Sequence, residues 1–249
     1  MARQKGIVKL QGTIGDISFY KSADGFMAKE KSAVDGERIA NDPAFIRTRE
    51  NMNEFGTSAK SAKFVRTALY GMINTAKDNR VSSRLMGLMS KIKNMDSTSA
   101  RGLRNVGIGI AVPAAKQLLK GFNFNKNSPL ASILFKPYAV NTGTGVITIA
   151  GLKPIDDIAT LAGATHINLK GAFARMNFVT GQYDIKYTNV VNLPINGVST
   201  NVTLTPTGVP GGIGVDLFLL QVEFFQLVNG VQYSLKNGEF NALSIVEVV

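Results

Sequence analysis

The chain has 249 residues, 45% of them hydrophobic, and carries 28 Lys/Arg against 17 Asp/Glu with a single histidine and no cysteine. That length and apolar content suffice for one large domain or two small ones with a buried core, and the missing cysteine excludes disulfides, thiolate metal sites and cysteine nucleophiles. The positive excess is regional: residues 1–125 hold 21 Lys/Arg against 10 Asp/Glu, and residues 126–249 hold 7 against 7, so anionic partners are drawn to the first half.

In chain order, Met1-Ala2-Arg3-Gln4-Lys5-Gly6 has the charge of a secretory start. The apolar stretch at 7–10 is too short for a signal and is broken by Lys9. No run reaches the roughly 18 apolar residues of a membrane span, so a cytoplasmic protein is expected, with export by another route left open. Across 1–40 the apolar positions Ile7, Leu10, Ile14, Ile17 and Phe19 are separated by Gly12, Gly15 and Gly25, which predicts short strands joined by tight turns. Ser22-Ala23-Asp24-Gly25 is expected to fold strand 17–21 onto strand 26–31, because the central positions of a type I′ turn need positive φ.

Residues 41–96 read as a basic helical module. Asp42-Pro43 places a capping carboxylate before a first-turn proline, Gly56 is expected to close that helix, and Ser58 to cap the next. There Ala62, Val65, Leu69, Met72, Ile73 and Ala76 recur at three- and four-residue spacing as one apolar stripe. A third helix is expected at about 80–95, with Leu85, Leu88, Met89, Ile92 and Met95 inward. Residues 97–121 read as a linker: 96–109 lacks any period, and a short helix at 114–120 stops at Gly121.

From 122 onward the pattern is β. Runs at 133–140, 145–149, 166–172, 183–189, 199–204, 215–227, 231–235 and 240–248 are rich in Val, Ile, Phe, Tyr and Thr. They are separated by turn signals, of which Asn229-Gly230 is the firmest. The fold class expected is α+β: an N-terminal region of short strands and two to three amphipathic helices, then an antiparallel β-sandwich over 122–249, jelly-roll or immunoglobulin-like.

Chemistry-bearing residues are sparse. His166 sits in an alternating strand and reads as a structural imidazole before a base or metal ligand; with no second His and no Cys, a zinc site would need three carboxylates. No Gly-x-Ser-x-Gly elbow is present. Gly107-Ile108-Gly109 and Gly211-Gly212-Ile213-Gly214 lack the Gly-Lys-Ser/Thr element of a phosphate loop and read as flexible turns. Asp156-Asp157, the adjacent acidic pair, reads as a capped turn ahead of a Ca²⁺ or acid/base role. No catalytic residue, metal site or cofactor is assigned, and the chain is read as a non-enzyme.

Two clusters remain. Lys60, Lys63, Arg66, Lys77, Arg80, Arg84, Lys91, Lys93, Arg101 and Arg104 lie within one short stretch opposed only by Asp78 and Asp96; a solvated face is the plain account, and phosphate of nucleic acid or an acidic protein surface the functional one. Arg47, Arg49, Glu50 and Glu54 mix charge on one expected helix, as a salt-bridged surface or a contact between subunits.

Several segments resemble an uncharacterised family of small bacterial proteins: Met1 to Ile7, Gly12-Thr13-Ile14-Gly15-Asp16-Ile17-Ser18-Phe19-Tyr20-Lys21, Asn41-Asp42-Pro43-Ala44-Phe45, Arg47-Thr48-Arg49-Glu50-Asn51 and Glu54-Phe55-Gly56, with Asn229-Gly230, Leu235-Lys236-Asn237-Gly238 and Phe240-Asn241-Ala242-Leu243-Ser244 at the other end. The resemblance is specific at both termini and loose between. It implies kinship without an activity, cofactor or site residue. The function expected is a structural protein that self-assembles as a shell, tube or filament subunit, its partner being itself. The extended, glycine-punctuated arm suits strand addition to a neighbour. The alternative is a packaging or architectural protein that binds nucleic acid through the basic helices.

Overall fold

The N-terminal glycines close hairpins. A computed structural model describes residues 1–22, 24–30, 36–159 and 161–249, without the side chains of Lys236 and Asn237, and the chain divides into two compact units, Met1–Asn51 and Met52–Val249. In the first, β1 (Ala2–Arg3), β2 (Gly12–Ile14), β3 (Ile17–Ser22) and β4 (Gly25–Glu30) form an antiparallel sheet in the order β1-β4-β3-β2. Ile14 pairs with Ile17 across a two-residue turn in which Gly15 has φ 57°, a left-handed conformation open to glycine at little steric cost. Ser22 pairs with Gly25 to make the β3–β4 hairpin. Ala23 of its turn and the expected end of its second strand at Lys31 lie outside the described residues.

Next come α1 (Gly36–Asn41), a 3-10 turn at Pro43–Phe45, and α2 (Ile46–Ala68). Asp42 caps the 3-10 turn: its carboxylate accepts from Ala44 N at 2.9 Å and from Arg38 Nε at 3.1 Å, and these bonds hold its carboxyl below the ordinary carboxylate value. Arg49 Nη1 donates to the carbonyls of Ile39 and Asp42. No described residue of this unit is buried.

α2 does not stop at Gly56, which corrects the expected break there. Gly56 keeps a helical backbone, and Ser58, expected as the next cap, donates its hydroxyl back to the Glu54 carbonyl at 3.0 Å. One interior glycine costs a helix about 1 kcal/mol, less than is gained by burying Ala62, Val65 and the rest of the stripe.

The second unit continues with α3 (Tyr70–Ile73), α4 (Val81–Lys93), α5 (Val106–Gly109), α6 (Pro113–Leu119), α7 (Leu130–Ile133), β5 (Ala139–Val140), β6 (Ile147–Leu152) and α8 (Pro154–Asp157). It ends with β7 (His166–Met176), β8 (Tyr183–Tyr187), β9 (Val191–Pro194), β10 (Thr200–Leu204), β11 (Val215–Val228), β12 (Val231–Ser234), a 3-10 turn at Leu235–Gly238, and β13 (Ala242–Val248). β11 and β7 pair along eleven residues at the centre of a curled six-stranded antiparallel sheet. β12 and β13 share the far edge of β11, while β8 and β9 share that of β7. β10, β6 and β5 form a separate three-stranded sheet. Asn229 at φ 50° and Gly230 at φ 81° make the β11–β12 turn, as a two-residue type I′ hairpin requires.

The central sheet is buried on both faces. Val215, Leu217 and Leu219 of β11, with Ala172, Ala174 and Met176 of β7 and Leu243 and Ile245 of β13, share a core with Ala62, Val65, Leu69, Leu85, Met89 and Ile92 of the helices. The alternate residues Phe218, Leu220, Val222 and Phe224, with Ile167, Leu169 and Phe173, share a second core with Ile147, Ile149, Val202 and Leu204 of the smaller sheet. Helices and strands are therefore one packed unit, and the expected module limits at 96 and 121 fall inside it. No helix among the described residues is long and apolar enough to cross a membrane.

The expected strand at 133–140 is instead α7 plus the two-residue β5, because Pro129 starts a helical turn, Leu130 and Ile133 enter the second core together, and Pro137 interrupts any ladder. Gly107-Ile108-Gly109 is α5, not a flexible turn: Asn105 caps it by accepting from Ile108 N at 3.0 Å, and a Cβ on Gly109 would lie 2.2 Å from the Ile92 carbonyl oxygen. Gly109→Ala is expected to lower the urea midpoint by overpacking, at about 1–3 kcal/mol or more, while Gly56→Ala, with nothing within 4 Å of its Cβ, raises stability by about 1 kcal/mol. Urea titrations followed by circular dichroism check both.

Candidate functional site

Residues 52–125 hold 12 Lys/Arg and only three acids, Glu54, Asp78 and Asp96. All three acids are consumed internally. Glu54 is 7% exposed; it accepts from Lys93 Nζ and, at 2.8 Å, from Gly102 N, with Arg104 Nε 3.9 Å away. Asp78 accepts from Arg84 Nη2, from Arg80 N at 2.6 Å and from Lys126 N at 2.8 Å. Asp96 accepts from Thr98 N, Ser99 N and Asn105 N at 3.0–3.1 Å, which ties residues 96–105 into a fixed loop where an aperiodic linker was expected.

The carboxyls of these three groups lie below their ordinary values. For Glu54 the Lys93 hydrogen bond is the leading cause and works against burial. For Asp78 and Asp96 burial is the largest influence and raises the value, but the combined hydrogen bonds outweigh it.

The ten cationic candidates accordingly separate. Arg84, Lys93 and Arg104 face internal carboxylates; Arg84 also donates to the Asn123 and Phe124 carbonyls and lies over the Phe122 ring. Lys60, Lys63, Lys77, Arg80 and Lys91 are exposed and, among the described residues, make no ion pair. Arg101 is exposed. Arg66 Nη1 donates to Ser82 Oγ at 2.9 Å, bridging α2 and α4. With Lys63, Thr67 and Tyr70 it lines a surface depression of about 440 Å³. In the strand half, by contrast, Arg175 grips Asp216 through two bonds of 2.6 and 2.7 Å, and Lys170 pairs with Glu223 at 3.0 Å.

Of the mixed-charge cluster, Arg47 pairs with Glu50 at 2.9 Å on an exposed turn. Arg49 is occupied by the backbone carbonyls described above, and the inward position of Glu54 removes it from any surface contact.

The remaining chemical candidates are structural in their bonding. His166 Nδ1 lies 3.0 Å from Thr165 Oγ1. Asp157 accepts from Lys153 N at 2.8 Å, closing the turn of α8, with Lys136 Nζ at 3.5 Å. Gly211 N donates to Asp184 at 2.8 Å, so the second glycine run braces a carboxylate where a phosphate loop would leave its amides free. No group of three or more His, Asp or Glu side chains is gathered among the described residues. Comparison with known proteins finds no matching family model, no matching curated protein and no matching solved structure.

A carboxyl whose folded-state value is depressed contributes stability that is complete above its unfolded value and is lost as pH falls through the folded one. Acid unfolding is therefore expected to begin below about pH 4–5 and to be shallower in Asp96→Asn, which removes one of the linked protons. Glu54→Gln leaves the Lys93 ammonium buried and unpaired, at a cost of about 3–5 kcal/mol at neutral pH. Urea midpoints across pH 2–8 report both, as roughly that window covers carboxylate titration.

Proposed function

We propose that this chain is a non-enzymatic structural protein that self-associates into a shell, tube or filament. One observation carries the reading: the N-terminal unit contains a four-stranded sheet and no described residue of the unit is buried, with Ile14 64% and Ile17 46% exposed. A sheet of short strands with an apolar side gains its independent stability by covering that side, and a repeated subunit supplies a cover to every copy. The second unit suits a rigid subunit body, because two cores lock its central sheet. We read its strand half as a sandwich, supported by the core that joins the six- and three-stranded sheets.

Kinship with the small bacterial family and a cytoplasmic setting belong to the same reading. It draws support from the work done by the resembling segments: Gly15 turns a hairpin, Asp42 caps, Arg49 clamps two carbonyls, and Asn241 joins the Phe224 amide to the Thr75 carbonyl.

A second reading has its own observation. Lys60, Lys63, Lys77, Arg80 and Lys91 of the helical layer are exposed and, among the described residues, pair with no carboxylate, which favours an anionic polymer, nucleic acid first, bound through phosphate. The two readings coexist in a coat that encloses nucleic acid.

Light scattering after size exclusion, with negative-stain microscopy, is expected to show particles well above the 26.7 kDa of one chain; a constant single-chain mass at tens of micromolar overturns the first reading. Fluorescence anisotropy with labelled DNA and RNA is expected to show affinity falling steeply with salt, and a combined Lys60→Glu, Lys63→Glu, Lys91→Glu variant is expected to lose most of it; no binding at low salt overturns the second.

A further inference from the structure

Strand register divides the N-terminal sheet into two unlike faces. Side chains alternate along a strand, and directly paired residues share a side. The pairs Ile14↔Ile17, Gly12↔Phe19, Phe19↔Ala28, Lys21↔Phe26, Ile17↔Glu30 and Ala2↔Ala28 therefore place Ala2, Ile14, Ile17, Phe19, Phe26 and Ala28 on one face. The other face carries Arg3, Thr13, Ser18, Tyr20, Ser22 and Lys29 with Met27; there the Thr13 and Ser18 hydroxyls lie 3.3 Å apart, and Lys29 Nζ sits 5.9 Å from the Tyr20 ring centroid. One face is dressed for water. The other is apolar and belongs to a unit with no interior.

The charges on the apolar face choose its occupant. It carries two, Lys21 at the hairpin end and Glu30 at the opposite end, separated by four residues of strand, about 13 Å. Among the described residues neither has an ion-pair partner; Lys21 Nζ rests 5.6 Å from the Phe26 ring centroid on the same face. A surface with an apolar middle, a cation at one end and an anion at the other is complementary to itself when turned end for end. A two-fold axis in the sheet plane and across the strands brings Lys21 of one copy to the Glu30 end of the other and lays Phe19 against Phe19. A two-fold along the strands sets the two lysine ends together and the two glutamate ends together, which like-charge repulsion opposes.

We infer that the apolar face of the β1–β4 sheet is the contact between copies of this chain, stacked antiparallel about a two-fold axis with Lys21 of each meeting Glu30 of the other. This rests on the self-association proposed above and names one of its contacts, since a two-fold pairs two copies and leaves any larger assembly to a second surface. Strands of six residues spaced about 4.8 Å make a small face, below the roughly 800 Å² per partner of a standard interface. The contact is thus reversible and dependent on concentration.

The test compares full-length wild type, Ile17→Asn, Lys21→Glu, Glu30→Lys and the doubly exchanged Lys21→Glu/Glu30→Lys chain by sedimentation velocity over a concentration series. Circular dichroism and thermal melting verify that each is folded, as substitutions at exposed positions allow. Each single charge reversal is expected to weaken association about tenfold or more, because two-fold symmetry changes every contact twice, and the double exchange to restore it. Ile17→Asn is expected to weaken association without restoration. Wild type that assembles while Ile17→Asn and the single reversals assemble equally well overturns this surface and leaves self-association standing. Single reversals that weaken association without rescue in the double exchange overturn the antiparallel geometry. A wild type that stays a single chain at every concentration overturns both proposals.

Discussion

The structure of the larger unit depends on one strand being buried on both sides. β11 puts Val215, Leu217 and Leu219 against the helices and Phe218, Leu220, Val222 and Phe224 against the smaller sheet. A strand with one wet face alternates apolar and polar residues, whereas Leu217-Phe218-Leu219-Leu220 does not alternate at all. That run demands cover on two sides, which obliges residues 62–119 to lie on the sheet. Where the demand relaxes, polarity enters in register: Gln221 donates to Thr75 Oγ1 at 2.7 Å and Glu223 pairs with Lys170, both in the row that faces the end of α3.

Much of the secondary structure was legible because local signals agreed with tertiary demand. The stripe from Ala62 to Ala76 is buried throughout, α4 buries Leu85, Met89 and Ile92, and Asn229-Gly230 turns where its φ preference puts it. Elsewhere local signal and tertiary demand diverge. Gly56, Gly107 and Gly109 look like punctuation in the sequence, yet a glycine also marks open helix surface or a close backbone approach, and only neighbours distant in sequence distinguish these. β9 has no local signal, because Val191–Pro194 is four residues with a proline at its end, and it exists as a strand through pairing with β7.

The site was legible in part and for a different reason. Net charge is a property of sequence, so the positive half stood out at once. Which cations are free depends on where three carboxylates go. Glu54 and Lys93 are 39 positions apart, and no helical spacing relates them; the same holds for Asp96, whose three amide donors come from a loop without pattern. Drawing Glu54, Asp78 and Asp96 inward stabilises the interior and leaves Lys60, Lys63, Lys77, Arg80 and Lys91 without an ion-pair partner among the described residues, so one arrangement both braces the layer and sets its surface charge.

β13 supplies Leu243 and Ile245 to one core and Ala242 and Val246 to the other, and its outer edge receives residues 121–124, with Gly121 N donating to the Ile245 carbonyl and Phe124 N to that of Leu243. β13 thus closes both interiors at once. Throughout translation the helical stripe waits without its cover, while the first hairpins, whose contacts are all local, are free to form as soon as they emerge. Because β7, β11 and β13 all follow the helices in the chain, the two interiors close together, once the strand that lines both of them is in place.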